Sequence, residues 1–319
     1  MCILRTIVVA ASLVLSTPAQ GQQYPVRPIK VLHGFAAGGP PDTVLRRVAA
    51  GLEQRLGVPI VVENRPGASG TIAATVAARA EPDGYTLLFG VAANLAVAPA
   101  TMKTPPYDPR DAFVPIIEVA RGPYLWLVRS DAPAKSMFEF IAWAKTNPGK
   151  LNYASPGLGS VHHLATEMLK RAAGIDIVHV PYTGGLYTAI LAGQVDAMFE
   201  SMPGPLPHLG SGKLRALAVT GSRRLPMLPD VPTLAEHGLP GIEVNSWWGF
   251  VAPKGTSSSI VVKLNEEITR VLADRDVRMA LDGMSIEATP GTPGAFGAYI
   301  AQEWTRWRNA AGDAGLKPE

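Results

Sequence analysis

The stretch that decides the fold is Pro28–Gly70, PIKVLHGFAAGGPPDTVLRRVAAGLEQRLGVPIVVENRPGASG. Pro28 to Leu32 reads as a short strand, and GFAAGG (Gly34–Gly39) reads as a glycine turn. From about Asp42 to Leu56 the apolar positions Val44, Leu45, Val48, Leu52 and Leu56 share one helical face, and Gly57 supplies a C-terminal stop. Val58 to Val62 is a second strand, NRPGASG (Asn64–Gly70) a second glycine turn, and Thr71 to Ala80 a second helix. Strand, glycine turn and helix repeated in this way predict a doubly wound, mostly parallel α/β sheet.

The pattern continues outward. Pro82-Asp83-Gly84 is a turn signal ahead of a strand at Tyr85 to Gly90. Tyr124 to Val128 is a strand, and Ser136 to Lys145 is a helix opened by the capping box Ser136-x-x-Glu139 and stopped by Pro148-Gly149. Asn152 to Ala154 leads into SPGLGS (Ser155–Ser160) and an amphipathic helix to Ala173. Ile177 to Val180, Gln194 to Phe199 and Leu214 to Val219 read as further strands. With 319 residues, two domains are expected at about 150 residues each. The Pro-rich stretches Thr101 to Pro115 and Pro226 to Asn245 are the expected boundaries.

The N-terminus reads differently. Arg5, the apolar run Thr6 to Leu15 and the small-residue pattern Ala19-Gln20-Gly21 form a signal peptide, residues 1–21, cleaved near Gly21. The run is short of the roughly 20 residues of a spanning helix. Cys2 precedes the run and is not placed as a lipid acceptor, so cleavage leaves a chain without thiols. Loss of Arg5 leaves 28 basic against 26 acidic residues, a net +2, which argues against a nucleic-acid partner. One cysteine excludes a disulfide framework and a cysteine-ligated zinc site. A soluble, exported, periplasmic protein is expected.

Ligands of open α/β sheets bind beyond the carboxyl ends of strands, where loops enter helix N-termini. Three loops combine glycine with small polar residues there: Phe35 to Asp42, Pro66 to Thr71 and Ser155 to Ser160. Their unpaired N–H groups and helix dipoles favour an anion without a lysine or arginine, although each glycine also serves simply to shape a turn. Asp42 either caps its helix or meets a ligand ammonium or hydroxyl. His162 and His163 point about 100° apart on a helix, a poor metal pair, so one is expected to line a cleft and the other to be exposed. One ring of Trp247-Trp248 is expected in the core, and Tyr182-Thr183 before Gly184-Gly185 forms a strand-end binding loop. The sequence holds no G-x-S-x-G, Walker loop, H-E-x-x-H or G-x-G-x-x-G. The competing reading is an exported hydrolase with a dispersed Ser/His/Asp site, for example Ser155 or Ser160 with His162.

At these loops the chain resembles the periplasmic solute-binding proteins of tripartite tricarboxylate transporters, the TctC-like or Bug family. The matching segments are GFAAGGPPD (Gly34–Asp42), VVENRPGASG (Val61–Gly70), EPDGYTLL (Glu81–Leu88), SPGLGS (Ser155–Ser160), VPYTGG (Val180–Gly185), GQVDAMFES (Gly193–Ser201), LPDVPTLAEHGLPG (Leu228–Gly241) and WGFVAPKGT (Trp248–Thr256). The resemblance implies a two-domain, type II-like Venus flytrap, with residues 22–120 plus 247–319 in one domain and 121–246 in the other. It implies a non-enzymatic, monomeric receptor without cofactor or metal, delivering a small carboxylate to membrane transporter subunits or a sensor protein. Carried over, the first-domain contacts are Phe35, Ala36, Gly39, Asp42, Ala68 and Ser69. Those of the second domain are Ser155, Gly159, Ser160, His162, Tyr182, Thr183 and Glu200. His33-Gly34 stands for a common Val-Pro, Thr183 for a common Lys and Glu200 for a common Asp. The missing lysine favours a mono- or dicarboxylate, aromatic ones included, over a citrate-like ligand.

Overall fold

The computed structural model describes residues 24–182 and 184–316. The leader with its cleavage point at Gly21, and Thr183, lie outside the described residues. Ile29–His33 (β1), Pro40–Leu56 (α1), Ile60–Asn64 (β2) and Thr71–Ala78 (α2) follow the opening stretch almost residue for residue. Thr86–Val91 (β3) leads into a π-helical turn at Ala93–Val97, which runs on as Ala98–Thr101 (α3). Next come Pro109–Ala112 (α4), the long strand Phe113–Arg129 (β4), Met137–Thr146 (α5), Asn152–Ser155 (β5) and Val161–Ala173 (α6). Val178–Pro181 (β6), Leu186–Leu191 (α7), Ala197–Ser201 (β7), Leu206–Gly210 (α8) and Leu214–Val219 (β8) complete the middle of the chain. Asn245–Pro253 (β9), Ser258–Ala273 (α9), Arg275–Asp282 (α10), Glu287–Ala288 (β10) and Pro293–Asp313 (α11) close it.

Local chemistry explains the helix ends. Gly57 stops α1 in the left-handed conformation, its N–H bonded to the Glu53 carbonyl. Ser136 caps α5 by accepting from the Glu139 N–H, whereas the Glu139 carboxylate takes the Lys135 N–H instead of that of Ser136. Ser160 caps α6 by accepting from the His163 N–H.

The strands line up as β2-β1-β3-β9-β4-β7-β5-β6, with β10 and β8 pairing to β4. Pairing is parallel at both ends, where β1 joins β2 and β3 and where β5 joins β6 and β7. The antiparallel strands are β9 and β4 in the middle. Residues 113–123 of β4 pair with β9, and from Tyr124 onward the same strand pairs with β7 and β8, so it belongs to both arms of the sheet. The sequence reading took Phe113–Pro115 as irregular because of Pro115. The register slips between Pro115 and Ile117, and such a bulge tolerates the missing N–H.

The C-terminal helices pack on the N-terminal arm, α9 against α1. Gly51 of α1 lies so close to α9 that a Cβ there would stand 2.7 Å from Val271. Trp247 and Trp307 both donate their indole N–H to the buried carboxylate of Glu303, at 3.2 and 3.0 Å, tying α11 to β9. In the other arm Trp126 is buried between Phe140 and Phe199. Among the described residues no helix is long and apolar enough to cross a membrane.

Candidate functional site

The carboxyl ends of β1, β2, β3, β5 and β7 all face one cavity of about 530 Å³. Its wall takes Phe35 and Ser69 from the first two loops, and Ala92, Ala93, Val97, Ala98 and Thr101 from the helix entered after β3. The other arm contributes Pro156 to His162 and Glu200-Ser201, while Tyr124 of β4 and Ser246 and Trp248 of β9 close the floor. Most of this wall is apolar, and among the described residues no lysine or arginine lines it.

On the N-terminal side, the loops are held backbone against backbone. A Cβ on Gly34 would lie 2.5 Å from the Gly70 Cα and 2.8 Å from its carbonyl oxygen, so only glycine permits this approach. The second loop keeps four consecutive residues at positive φ, including Ala68 at 46° and Ser69 at 54°. Such backbone strain in non-glycine residues persists only where the surroundings impose it. Asn94, fully buried, ties the π-helical turn down: its Oδ1 accepts the Val91 N–H at 2.8 Å and its Nδ2 donates to the Gly70 carbonyl at 3.3 Å. The π turn thus presents Ala93 and Val97 to the cavity.

Asp42 stands behind this wall, 1% exposed. One carboxylate oxygen accepts from the Gly38 N–H at 2.9 Å and Arg46 at 2.8 Å, the other from Asn64 at 2.8 Å. Burial pushes its carboxyl up, but Arg46, the Gly38 N–H and Asn64 together outweigh that and hold it at about 2. The side chain therefore organises the first loop from behind; the N-cap of α1 is Gly39, and no side chain caps that helix.

On the opposite side, side chains hold the loop. Ser155 is fully buried, with Oγ 2.6 Å from His179 Nε2 and accepting the Gly157 N–H at 3.0 Å. Ser160 donates to the Gly157 carbonyl at 2.7 Å, and the Gly159 N–H donates to His163 Nδ1 at 3.2 Å. Burial lowers the pKa of His163 and takes that of His179 down to about 4, with His163 adding to the latter. Beside them His162 faces Glu200, Nε2 to Oε1 at 3.4 Å, and its ring meets the Tyr124 ring edge-on. Burial raises the pKa of the Tyr124 hydroxyl far above its ordinary value, and the Glu200 charge adds to this.

Six sequence-predicted residues, Phe35, Ser69, Gly159, Ser160, His162 and Glu200, come together on the cavity wall. The others stand back from it. Ala36 and Ala68 are exposed and do not line the cavity, and Gly39 is the N-cap of α1. Asp42 and Ser155 are buried beneath their loops. Tyr182 donates its N–H to the Ser155 carbonyl while its ring packs on the apolar cluster around Leu125 and Met198, and Thr183 lies outside the described residues. His163, the histidine expected at the surface, is buried because its ring supports the Gly159 N–H. Trp247 and Trp248 are both buried, Trp248 with one edge on the cavity. Sequence reading missed Tyr124, Asn94, Ser246 and the helix after β3. The strand-end rule pointed to that helix too, but ANLAVAPA (Ala93–Ala100) has no glycine and one polar side chain to flag it.

The hydrolase geometry does not form. Ser155 bonds His179 in a buried pocket, Ser160 is spent on capping, and His162 turns to Glu200 instead of to either serine. Among the described residues no group of three or more His, Cys, Asp or Glu side chains gathers as metal ligands.

A two-armed α/β sheet with a ligand-sized cavity at the strand ends of both arms defines a solute receptor of the periplasmic-binding-protein class. The sequence model of the tripartite tricarboxylate transporter family receptor matches residues 44–316, and the chain belongs to that family of periplasmic receptors. It is 36% identical over 306 residues to the protein BugT of Bordetella pertussis, covering 95% of this chain and 94% of BugT. Among solved structures it is similar to Rpa4515 of R. palustris with adipate (35% identity, TM-score 0.85, 93% of this chain and 100% of that one). It is also similar to MatC of Rhodopseudomonas palustris with bound malate (37% identity, TM-score 0.80, 90% and 99%).

Proposed function

We propose that the chain is a non-enzymatic, exported receptor that captures a small carboxylate in this cavity and hands it to membrane transporter subunits, or to a sensor protein. The observation that carries the reading is the cavity wall. Helix openings from both arms (the π turn before α3, and α6), with Ser69 and Ser246, surround it, with no cationic side chain among the described residues. Backbone N–H groups at helix starts hold a carboxylate in such a wall, and the apolar remainder accommodates its carbon skeleton. The adipate and malate complexes of the two similar structures support the choice of a mono- or dicarboxylate.

The lobes of the receptor are residues 24–120 with 247–316, and 121–246. The chain passes between them where β4 changes partners at Pro123-Tyr124 and again where β9 begins at Asn245. Closure of the lobes is driven by whatever affinity the ligand has for the closed form over the open one.

A thermal-shift screen of unfolded and refolded protein against mono-, di- and tricarboxylates, aliphatic and aromatic, tests this. At a hundred times Kd a true ligand adds about 2.7 kcal/mol, a few degrees of Tm. A flat screen, together with ester turnover lost in Ser160→Ala, would overturn the receptor in favour of a hydrolase.

A further inference from the structure

Glu200 has its two oxygens in different situations. Oε1 accepts the Ser201 N–H at 2.8 Å and is approached by the Ser201 hydroxyl and His162 Nε2, both at 3.4 Å. No described residue donates to Oε2, and the side chain that carries it lies on the cavity wall, 14% exposed. The cavity wall thus carries a carboxylate oxygen that no described residue donates to, and among the described residues no lysine or arginine lines it to offset the charge. His162 faces the other oxygen at a distance beyond a good hydrogen bond.

From this we infer that Glu200 reads the ligand: the cargo carries one carboxylate and, at its other end, a hydrogen-bond donor that Glu200 Oε2 accepts. The inference rests on the carboxylate reading above and narrows it. A carboxylate left without a donor in a mostly apolar cavity loses its hydration with no return, and a second anion brought against it is repelled. A hydroxyl or amine at that end satisfies it. The ligand's own carboxylate is then held away from Glu200, at the helix openings.

Calorimetry on refolded protein, with the series hexanoate, 6-hydroxyhexanoate and adipate and its four-carbon counterparts butanoate, 4-hydroxybutanoate and succinate, decides it. The expected result is that the hydroxy acid in one series binds about tenfold more tightly than the diacid, with the plain acid between. In Glu200→Gln, which keeps an acceptor for the Ser201 N–H, the diacid gains about tenfold relative to the hydroxy acid. A diacid that binds wild type as tightly as the hydroxy acid, with a ratio unchanged in Glu200→Gln, overturns the role of Glu200 and leaves the carboxylate receptor standing. No binding by any of the six overturns the role of Glu200, and only together with a flat thermal-shift screen across all the carboxylates does it remove the receptor reading as well.

Discussion

The two sides of the cavity are built by opposite means. The N-terminal side is assembled from backbone: Gly34 against Gly70, a run of positive φ from Gly67 to Gly70, and Asp42 and Asn94 pulling loops inward from behind. The side chains it presents, Phe35, Ala93, Val97 and Ala98, are apolar, with Ser69 the exception among the loop residues. The other side is assembled from side chains, with Ser155, Ser160, His163 and His179 bonded into the loop and His162 and Glu200 facing the cavity. A wall made of backbone contacts fixes shape, whereas a wall carrying ionisable groups sorts ligands by charge and by donors. The division assigns shape to one arm and selectivity to the other.

The largest effect expected on this contrast comes from Gly34→Ala. The added Cβ meets the Gly70 backbone, which cannot step aside, so stability falls by about 3 kcal/mol and binding weakens for every ligand alike. Denaturant unfolding measures it, and an unchanged midpoint would show that the two loops move apart freely. Asp42→Ala comes next, at about 2 kcal/mol, since it leaves the Gly38 N–H and the Asn64 amide without their carboxylate. Because Asp42 stands behind the wall, Tm should drop while the ratio of affinities among ligands stays the same. A changed ratio with an unchanged Tm would instead make Asp42 a direct ligand contact.

The smallest effect is a pH dependence centred on the other arm. His163 and His179, and His33 in the first arm, have pKa values lowered by burial, so the folded state favours their neutral forms. Their contribution is complete above the unfolded-state value of about 6.5 and is lost as the pH falls from there toward about 4, where His179 titrates. Asp42, held at about 2, keeps its contribution through that window and loses it only in stronger acid. Tm should fall by a few degrees between pH 7 and 4.5, and by less in His179→Asn. A profile identical in the variant would remove His179 from the account.

The fold was legible because the opening stretch repeats one local code, an apolar strand, a glycine turn and an amphipathic helix, and each element is bounded by its own residues, such as Gly57 and Ser160. What was not legible is what depends on pairing across long distances. Tyr124–Val128 read as a lone strand because nothing local reveals that β4 extends from Phe113 and changes partners at Pro123-Tyr124. The part of the candidate site that was visible, six residues of the wall, was visible for the same reason as the fold, since glycine-rich loops mark strand ends. Whether a loop residue faces the cavity or supports it from behind depends on packing: Asp42 turns inward to Asn64 and Arg46, and Ser155 to His179. The apolar helix after β3 carries Asn94 as its one polar side chain, and its ties to the Val91 N–H and the Gly70 carbonyl depend on packing no local pattern announces.

The most direct test is an isothermal titration of refolded protein with the carboxylate that gives the largest thermal shift, in wild type and in Thr101→Trp. Thr101 is half-buried at the end of α3, on the cavity wall, and indole at that position fills the space. The account predicts one saturable site in wild type and none in a variant whose melting temperature without ligand stays within a few degrees. Equal affinity in both proteins would place the ligand somewhere other than this cavity and contradict the account.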